Sequence, residues 1–436
     1  MKRTVFIFGV LLMPILMTIP AYSVDHQLGG DLRFRALTAG DWSGNDADSS
    51  SDRSKVDSRA HVNYTAKVND DLTVYTSFRI DSVWGDAGTG RAGVSAATVK
   101  LKYSYLDFNV GETNFTVGMQ DFFEARGILV YDVAPGVSVT TPLSDQFKFN
   151  AKWIKFGEGG INGGDKAHQD LDTIAIMPQI KLNDNITFKP YLWYVMSNEV
   201  KNADRTWNWW WKDTSKIEDL DMYYLGFDFD ASMGATSVWF TALYQAGSAN
   251  VDATWPNGHG SVDFSGIAAL GGGSLNLGKV TLSGQLFYAS GDDDPNDDKI
   301  EQFFSAEAGY YYWSEIMGLG SNDDEIPHNI AWSLTNIVGG GGTASVSVSD
   351  RMTVDFGLWY AAAVEDFQGS NGLVEAADYG TELNASMSYS LMDNLSLSFI
   401  GAYVIAGDAL TEENVDGANI EGADPYFLQA QIKAKF

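Results

Sequence analysis

Apolar and polar residues alternate along most of the chain after residue 27, and this pattern constrains the fold more than any other feature. In residues 72–81 the even positions carry mostly Leu, Val, Phe and Ile, whereas the odd positions carry Thr, Tyr, Ser, Arg and Asp. The same split recurs in residues 280–288 and 352–360. A period of two is typical of β-strands, and segments of about ten residues are long enough to cross a bilayer when tilted.

The connections between these segments alternate in length. Eight short turns are separated by longer polar stretches, as in bacterial barrels with short periplasmic turns and long outer loops. The turns lie at residues 69–71, 111–114, 143–145, 183–185, 232–234, 277–279, 349–351 and 392–394. Eight turns join sixteen strands, and a first strand at about 27–39 and a last at 425–436 give eighteen. Sixteen remains an alternative, because residues 115–142 and 342–349 alternate weakly.

The N-terminus has the features of an export signal. Lys2 and Arg3 precede an almost wholly apolar run from Val5 to Ile19, and small residues at Ala21 and Ser23 suit a signal-peptidase site. We therefore expect residues 1–23 to be a cleaved signal peptide and residues 24–436 to form one domain. The alternative is an uncleaved anchor helix.

The remaining chain contains no second apolar run of 18 or more residues, so we expect no transmembrane helix. Within lipid every backbone N–H and C=O group must be paired inside the protein, which only helices and closed barrels achieve. Alternating strands that cross a bilayer must therefore close on themselves. The predicted fold is all-β, a single transmembrane antiparallel β-barrel.

The C-terminal segment supports this fold. Its apolar side chains, from Tyr426 through Ile432 to Phe436, share one face, while Lys433 and Lys435 fall on the other. A last strand that ends in Phe is typical of outer-membrane proteins, where the barrel assembly machinery reads that end. We therefore predict that Phe436 is an assembly signal. The alternative is an edge strand of a secreted sandwich.

The charge is strongly acidic. The chain has a formal charge of −29, and removal of Lys2 and Arg3 from its 28 basic residues leaves 26 against 57 acids, a charge near −31. This balance argues against a nucleic-acid partner. The acids cluster between alternating segments, and we interpret these clusters as loops. They lie at residues 41–57, 292–298, 323–325 and 408–424.

The opening segments resemble a known family. The resemblance is carried by residues 30–35, Arg59, residues 66–72, 76–85 and 117–121, within about residues 29–130. They are similar to the alginate-export-type outer-membrane porins, which implies an eighteen-stranded barrel with a basic pore. That family has Arg after the Gly of the fifth strand, where this chain has Met119. We take the fold from this resemblance, and not the cargo.

Enzymatic and metal sites are poorly represented. The histidines show no metal-ligand spacing, and no Gly-x-Ser-x-Gly motif is present, so we expect neither an enzyme nor a cofactor. The five histidines of the chain are His26, His61, His168, His259 and His328. The acidic run 291–298 offers oxygen ligands for Ca²⁺, but it lacks the EF-hand spacing and closing Glu, which favours a solvated loop.

Two aromatic segments fall in predicted outer loops. The run at 207–211 contains four tryptophans, which suit an interfacial belt, loop packing or stacking on sugar rings. The loop at 292–341 is the longest, and its aromatic residues argue against disorder. Its two alternatives are a plug inside the barrel and a cover over the mouth.

Basic residues are concentrated in the first half of the barrel. Residues 24–200 hold 17 of the 26 basic residues, against 9 in residues 201–436. Strand alternation predicts that many of them face the lumen, since an outward charge at the bilayer midplane costs about 2–4 kcal/mol. The predicted basic stripe consists of Arg33, Arg35, Arg59, Arg79, Lys100, Lys102, Lys148 and Lys152, with His61, Lys67, Lys181 and Lys189 also inward. Asp121 and Glu124 are the predicted constriction acids. The alternative is pairing of the bases with Asp31, Asp81, Asp121 and Glu124.

These features predict a porin-type channel for small hydrophilic solutes or ions in the outer membrane of a Gram-negative bacterium, because eighteen strands leave room for an aqueous lumen. The alternatives are a specific transporter or exporter of an oligosaccharide or polyanion, and a structural or adhesion barrel. Membrane lipid and lipopolysaccharide are expected partners. Trimers are common among porins, so a homotrimer is an open alternative.

Overall fold

In the computed structural model, the described residues of the chain contain twenty-one strand segments that form one sheet. The structure describes residues 24–42, 52–92, 96–158, 170–197, 217–251, 260–294, 297–306, 310–318, 320, 334–368, 375–410 and 423–436. The predicted signal peptide at 1–23 and the tryptophan run at 207–211 lie outside the described residues, as do parts of the predicted acidic loops.

The strand segments follow one another along the chain with short turns at one end. They are β1 (Asp25–Gly40), β2 (Arg53–Asn69), β3 (Leu72–Val83), β4 (Thr98–Val110), β5 (Thr113–Glu124), β6 (Val130–Pro142), β7 (Phe147–Gly157), β8 (Leu171–Ile176), β9 (Gln179–Asn183), β10 (Ile186–Ser197), β11 (Ile217–Met233), β12 (Thr236–Val251), β13 (Ser261–Phe264), β14 (Ile267–Asn276), β15 (Val280–Ala289), β16 (Lys299–Ile300), β17 (Ile337–Ser349), β18 (Met352–Gln368), β19 (Glu375–Met392), β20 (Leu395–Ala406) and β21 (Tyr426–Lys435).

The sheet closes into a barrel of eighteen strands, because β1 pairs antiparallel with both β2 and β21. Two of the eighteen are interrupted: β8 and β9 both lie between β7 and β10, and β13 and β14 both pair with β12. The two-residue β16 belongs to a loop and pairs with β13. The predicted transmembrane barrel fold and the count of eighteen strands are confirmed.

The two faces of each strand differ in exposure. In β11 the side chain of Leu225 is 54% exposed, whereas Tyr224 is fully buried; in β18 Leu358 is 56% exposed and Trp359 only 6%. The exposed apolar residues form the outer surface, which suits contact with lipid. The buried residues face inward, where they form a core inside the barrel. The described residues include no helix with the length and apolar character needed to span a bilayer.

Two predicted loop boundaries are wrong. The predicted loop at 292–341 ends earlier, because β17 begins at Ile337 and includes Gly339–Gly342. Within β17, Gly339 lies against the ring of Phe287 and Gly341 against that of Trp359. Glycines occupy these positions because the rings leave no room for side chains, and a run of glycines shows no apolar–polar alternation in the sequence. The predicted acidic loop at 41–57 also extends too far, because β2 begins at Arg53 and contains Asp57.

Candidate functional site

The tip of the β5–β6 hairpin leaves the barrel wall. Pairing of β4 with β5 ends at Met119, and pairing of β7 with β6 ends at Gly136. Between these points β5 and β6 pair only with each other among the described residues. We call residues 119–135 the inner hairpin. Four of its large apolar residues are almost completely buried, which places the hairpin inside the barrel, whereas Phe123 is 55% exposed. The four buried residues are Phe122, Ile128, Leu129 and Val130.

A pair of glycines marks the base of the inner hairpin. Gly118 and Gly136 face each other across β5 and β6. Gly118 has a φ angle of +131°, and a Cβ atom there would lie 2.4 Å from the backbone oxygen of Ser104. A Cβ atom at Gly136 would lie 2.5 Å from the oxygen of Trp153. The close approach of neighbouring strands therefore requires Gly at both positions.

A second segment also enters the lumen. We call the described residues 301–306 and 310–318 the inner loop. The backbone N–H of Phe304 donates to Oε1 of Gln245 on β12 at 2.7 Å, and the N–H of Ala306 donates to the oxygen of Leu129 at 3.1 Å. The hydroxyl of Tyr311 donates to Gln285 on β15 at 2.7 Å. The two alternatives for the long loop are a plug inside the barrel and a cover over its mouth. The described part of the loop enters the barrel, as in the first alternative.

A buried carboxylate anchors the inner loop. Glu382 on β19 accepts three consecutive backbone N–H bonds, from Glu315 at 2.8 Å, Ile316 at 3.0 Å and Met317 at 2.8 Å. The amide of Asn384 donates a further bond at 2.8 Å. Four donors satisfy this carboxylate, which is fully buried. Such bonds fix backbone position more firmly than packing alone.

Aromatic contacts also hold the inner loop and the inner hairpin in place. The ring of Trp313 packs against Phe287, with centroids 4.8 Å apart, and against Trp359 at 5.9 Å. The inner hairpin contacts the inner loop through Tyr131, whose ring lies 6.5 Å from that of Tyr310 and 5.5 Å from that of Tyr312. The two inner segments therefore form one packed unit.

The predicted basic residues of the first four strands lie on the inner side of the barrel. We call the inner faces of β21 and β1–β4 the basic wall. In this wall Asp81 accepts from Nε of Arg59 at 2.6 Å and from Nε of Arg79 at 2.7 Å. Asp31 lies 3.3 Å from Nδ1 of His61 and 3.4 Å from Nζ of Lys433. The structure thus contains both predicted features, the inward bases and their acid partners.

Arg35 differs from the other residues of the predicted stripe. Its side chain is 1% exposed, and its guanidinium group donates to Asp57 through Nη2 at 2.6 Å. Arg33 lies 3.8 Å and Lys55 3.3 Å from the same carboxylate. Arg35 is therefore enclosed in a buried cluster, and it does not present its charge to open space.

The lysines of the predicted stripe have varied surroundings. Lys100 pairs in register with Arg79, and Lys102 lies with Nζ 5.0 Å from the ring centroid of Tyr103. Neither lysine forms an ion pair within the described residues. On β7, Lys148 is exposed on the inner side, whereas Lys152 forms an ion pair with Glu124.

The predicted constriction acids are located on the inner hairpin. Asp121 lies beyond the last residue that pairs with β4, and it interacts electrostatically with Lys102, Lys152 and Asp132. Glu124 is mostly buried in its contact with Lys152. Asp121 therefore places a negative charge near Lys102 of the basic wall, whereas the charge of Glu124 is balanced by Lys152.

Sequence reasoning missed the residues that hold the inner segments. Arg126 is at the tip of the inner hairpin, and Glu382, Gln245 and Gln285 are on distant strands. One available signal was the weak alternation of residues 115–142, which includes Arg126. The other three occupy ordinary inward positions in their strands, so the sequence pattern gives no indication of their partners.

Comparison with known proteins identifies the fold. No protein-family model and no curated protein match this sequence. Several solved structures do match it. OccK8 (OprE) of Pseudomonas aeruginosa is 11% identical, with a TM-score of 0.57 over 94% of this chain and 98% of that chain. OccK2 (OpdF) of the same organism, solved in complex with glucuronate, is 11% identical, with a TM-score of 0.58 over the same shares.

A BenF-like porin from Pseudomonas fluorescens Pf-5 is 10% identical, with a TM-score of 0.57 over 94% of this chain and 99% of that chain. At these identities the likeness shows the fold alone, that of outer-membrane porins. The matches give no support to the alginate-export type in particular.

Proposed function

We propose that this chain is a porin-type channel that lets small hydrophilic solutes or ions diffuse across the outer membrane. The observation that carries the proposal is a closed barrel with an apolar outer surface and a charged inner wall. A barrel of eighteen strands leaves space for a water-filled passage. Such a passage has no need of a catalytic residue or a cofactor.

The charges of the lumen support a preference for anions. The basic wall contains more bases than acids, and neither Lys100 nor Lys102 forms an ion pair among the described residues. Basic side chains around a pore favour anions. The acidic outer loops repel anions, but their effect is screened within about 8 Å at physiological salt. The preference is therefore weak, and the acidic net charge does not reverse it.

Two solved relatives in fold bear on the solute class. One was crystallised with glucuronate and another, OpdK of Pseudomonas aeruginosa, with vanillate. Both ligands are small carboxylate anions. A carboxylate is the kind of solute that an Arg- and Lys-rich wall attracts, so we extend the proposal to small organic anions.

The test is the reversal potential of the purified protein in planar bilayers under a salt gradient. We expect the wild type to conduct with weak anion preference. The Arg33→Gln, Arg59→Gln and Arg79→Gln triple variant should lose this preference. The Arg351→Gln variant is a matched control, because it removes a charge in the exposed turn after β17. Strong cation selectivity in the wild type that the triple variant retains would show that the outer loops govern permeation.

Two further functions remain as alternatives. A specific transporter or exporter of an oligosaccharide or polyanion would show saturable flux, and a structural or adhesion barrel would show no conductance. Location in the outer membrane is tested by fractionation and by faster gel migration of the unheated protein. Recovery as a soluble periplasmic protein would contradict every function considered. Cleavage at residue 23, lipopolysaccharide contact, use of the barrel assembly machinery and a homotrimer remain predictions.

A further inference from the structure

We propose that Arg126 is a positioning residue that holds the inner hairpin across the lumen and thereby sets the width of the passage. This inference rests on the proposed channel function. Arg126 lies at the hairpin tip, and its partners belong to β11 and β12, which are separated from β6 in the sheet by β7, β8 with β9, and β10, and lie more than 100 residues away in sequence.

The contacts of Arg126 use two of its guanidinium nitrogens and the flat face of the group. Nε donates to Oγ1 of Thr241 at 2.9 Å, and Nη2 donates to Oδ1 of Asp230 at 2.7 Å. The guanidinium carbon lies 4.4 Å from the ring centroid of Trp239. A planar group that is both stacked and hydrogen-bonded is fixed in orientation, which a Lys ammonium at the same place does not achieve.

The partners of Arg126 are themselves held in place. Thr241 is completely buried, and its hydroxyl donates to Oδ1 of Asp228 at 2.7 Å, which directs its lone pairs toward Arg126. Asp230 also lies 3.6 Å from Nζ of Lys189. The receiving site on β11 and β12 is therefore preorganised, and the hairpin tip binds to a rigid surface.

The backbone at the tip is strained. Ala125, Arg126 and Gly127 have φ angles of +50°, +59° and +90°, all in the left-handed region. Ala and Arg seldom adopt this region, and such residues persist where surrounding contacts hold them. The contacts of the Arg126 side chain are such a restraint, because they fix the residue at the centre of the strained turn.

The base of the hairpin provides less restraint than the tip. At Gly118 and Gly136 the hairpin loses its neighbours on both sides, and neither residue has a side chain to pack. Buried apolar residues and Arg126 therefore fix the position of the hairpin. Because Asp121 lies on this hairpin opposite Lys102, displacement of the tip changes both the bore and its charge.

Single-channel recordings of the Arg126→Ala variant in planar bilayers test this inference. We expect the time spent in high-conductance substates to rise about tenfold, which corresponds to the loss of 1.4 kcal/mol. Arg126→Lys should raise the time spent in high-conductance substates by less than Arg126→Ala does. Asp230→Arg should open the channel as Arg126→Ala does, and the Arg126→Asp, Asp230→Arg double variant should return it toward wild type.

Lys279→Ala is the control, because Lys279 is an exposed base in the turn before β15 and has no contact to the inner hairpin among the described residues. Heat-dependent gel migration confirms that each variant forms a barrel. If Arg126→Ala or Asp230→Arg assembles but conducts as the wild type does, the inference is wrong while the channel function stands. If the wild type does not conduct at all, the proposed function itself fails. If Arg126→Ala does not assemble, the Arg126→Lys and double variants decide between these outcomes.

Discussion

The basic wall and the strands opposite it have similar outer surfaces but different inner ones. We call the inner faces of β11, β12, β15, β18 and β19 the anchoring wall, because they hold the inner hairpin and the inner loop. From residue 217 to residue 425 the chain has only three basic residues, Lys279, Lys299 and Arg351. None is on the inner face of a barrel strand, because two are in turns and one is in β16.

This difference separates two tasks within one barrel. The anchoring wall uses acids and amides to bind backbone and guanidinium groups of the inner segments, as Glu382 and Asp230 show. The basic wall has its charges in short networks within the wall, such as that around Asp81. The inner segments are thus bound on one side, and we infer that solutes pass along the other.

The largest expected effect concerns the pairing of β21 with β1, which closes the barrel and therefore both of its walls. Phe436 and Gly30 exchange two backbone hydrogen bonds at the junction of β21 and β1, and the Phe436 side chain is exposed on the outer surface. Phe436→Ala should reduce the assembled protein several-fold, whereas Lys435→Ala should leave it nearly unchanged. The amount of heat-modifiable protein in outer membranes measures this. Equal assembly of both variants would contradict the predicted assembly signal.

The next effect addresses the anchoring wall. Glu382→Ala leaves three buried N–H groups of the inner loop without acceptors, at about 1–3 kcal/mol each. We expect the loop to detach and single-channel conductance to rise severalfold. Glu382→Gln retains an acceptor and should have a smaller effect. Asp355→Asn is the control, because Asp355 accepts from Ser386 within the wall. Unchanged conductance in an assembled Glu382→Ala barrel would show that the hydrogen bonds to Glu382 do not position the inner loop.

The fold was predictable from sequence for a physical reason. Each strand must bury its backbone polar groups in a ladder and present apolar residues to lipid, so strands such as β3 and β18 show the alternation clearly. The predicted lumen face of the bases follows from the same alternation. Phe34 is exposed on the outer surface while Arg35 is buried inside.

The inner segments were not predictable in this way. A hairpin that leaves the wall no longer has one face toward lipid, so the alternation weakens at residues 119–135. The partners of Arg126 and Glu382 lie far away in sequence, and no periodic pattern relates them. The burial of Arg35 was also missed, because Asp57 belongs to an acid-rich stretch that we interpreted as a loop.

A smaller effect distinguishes residues within the basic wall. Arg35→Gln removes the closest partner of the buried Asp57 carboxylate, which should cost about 1.5–3 kcal/mol of stability. The temperature at which the barrel loses its unheated gel mobility should fall. Arg35→Leu together with Asp57→Leu should recover most of the loss, because an apolar pair replaces a buried ion pair at little cost. A transition temperature in Arg35→Gln equal to that of wild type would mean that the pair is not stabilising.

The smallest expected effect concerns Lys100 and Lys102, which form no ion pair among the described residues. Two unit charges about 4 Å apart in water interact by roughly 1 kcal/mol, so each lysine of the Lys100→Gln, Lys102→Gln double variant should account for at most about a fivefold fall in anion permeability. Conductance and stability should remain near wild type, in contrast to the Glu382 and Arg35 variants. The reversal potential should also depend on salt, because the screening length falls from about 10 Å at 0.1 M to about 3 Å at 1 M. The difference between variant and wild type should therefore be clear at low salt and nearly vanish at 1 M. A difference that persists at 1 M would show that these lysines contact the solute directly, and equal potentials at low salt would place the passage away from the basic wall.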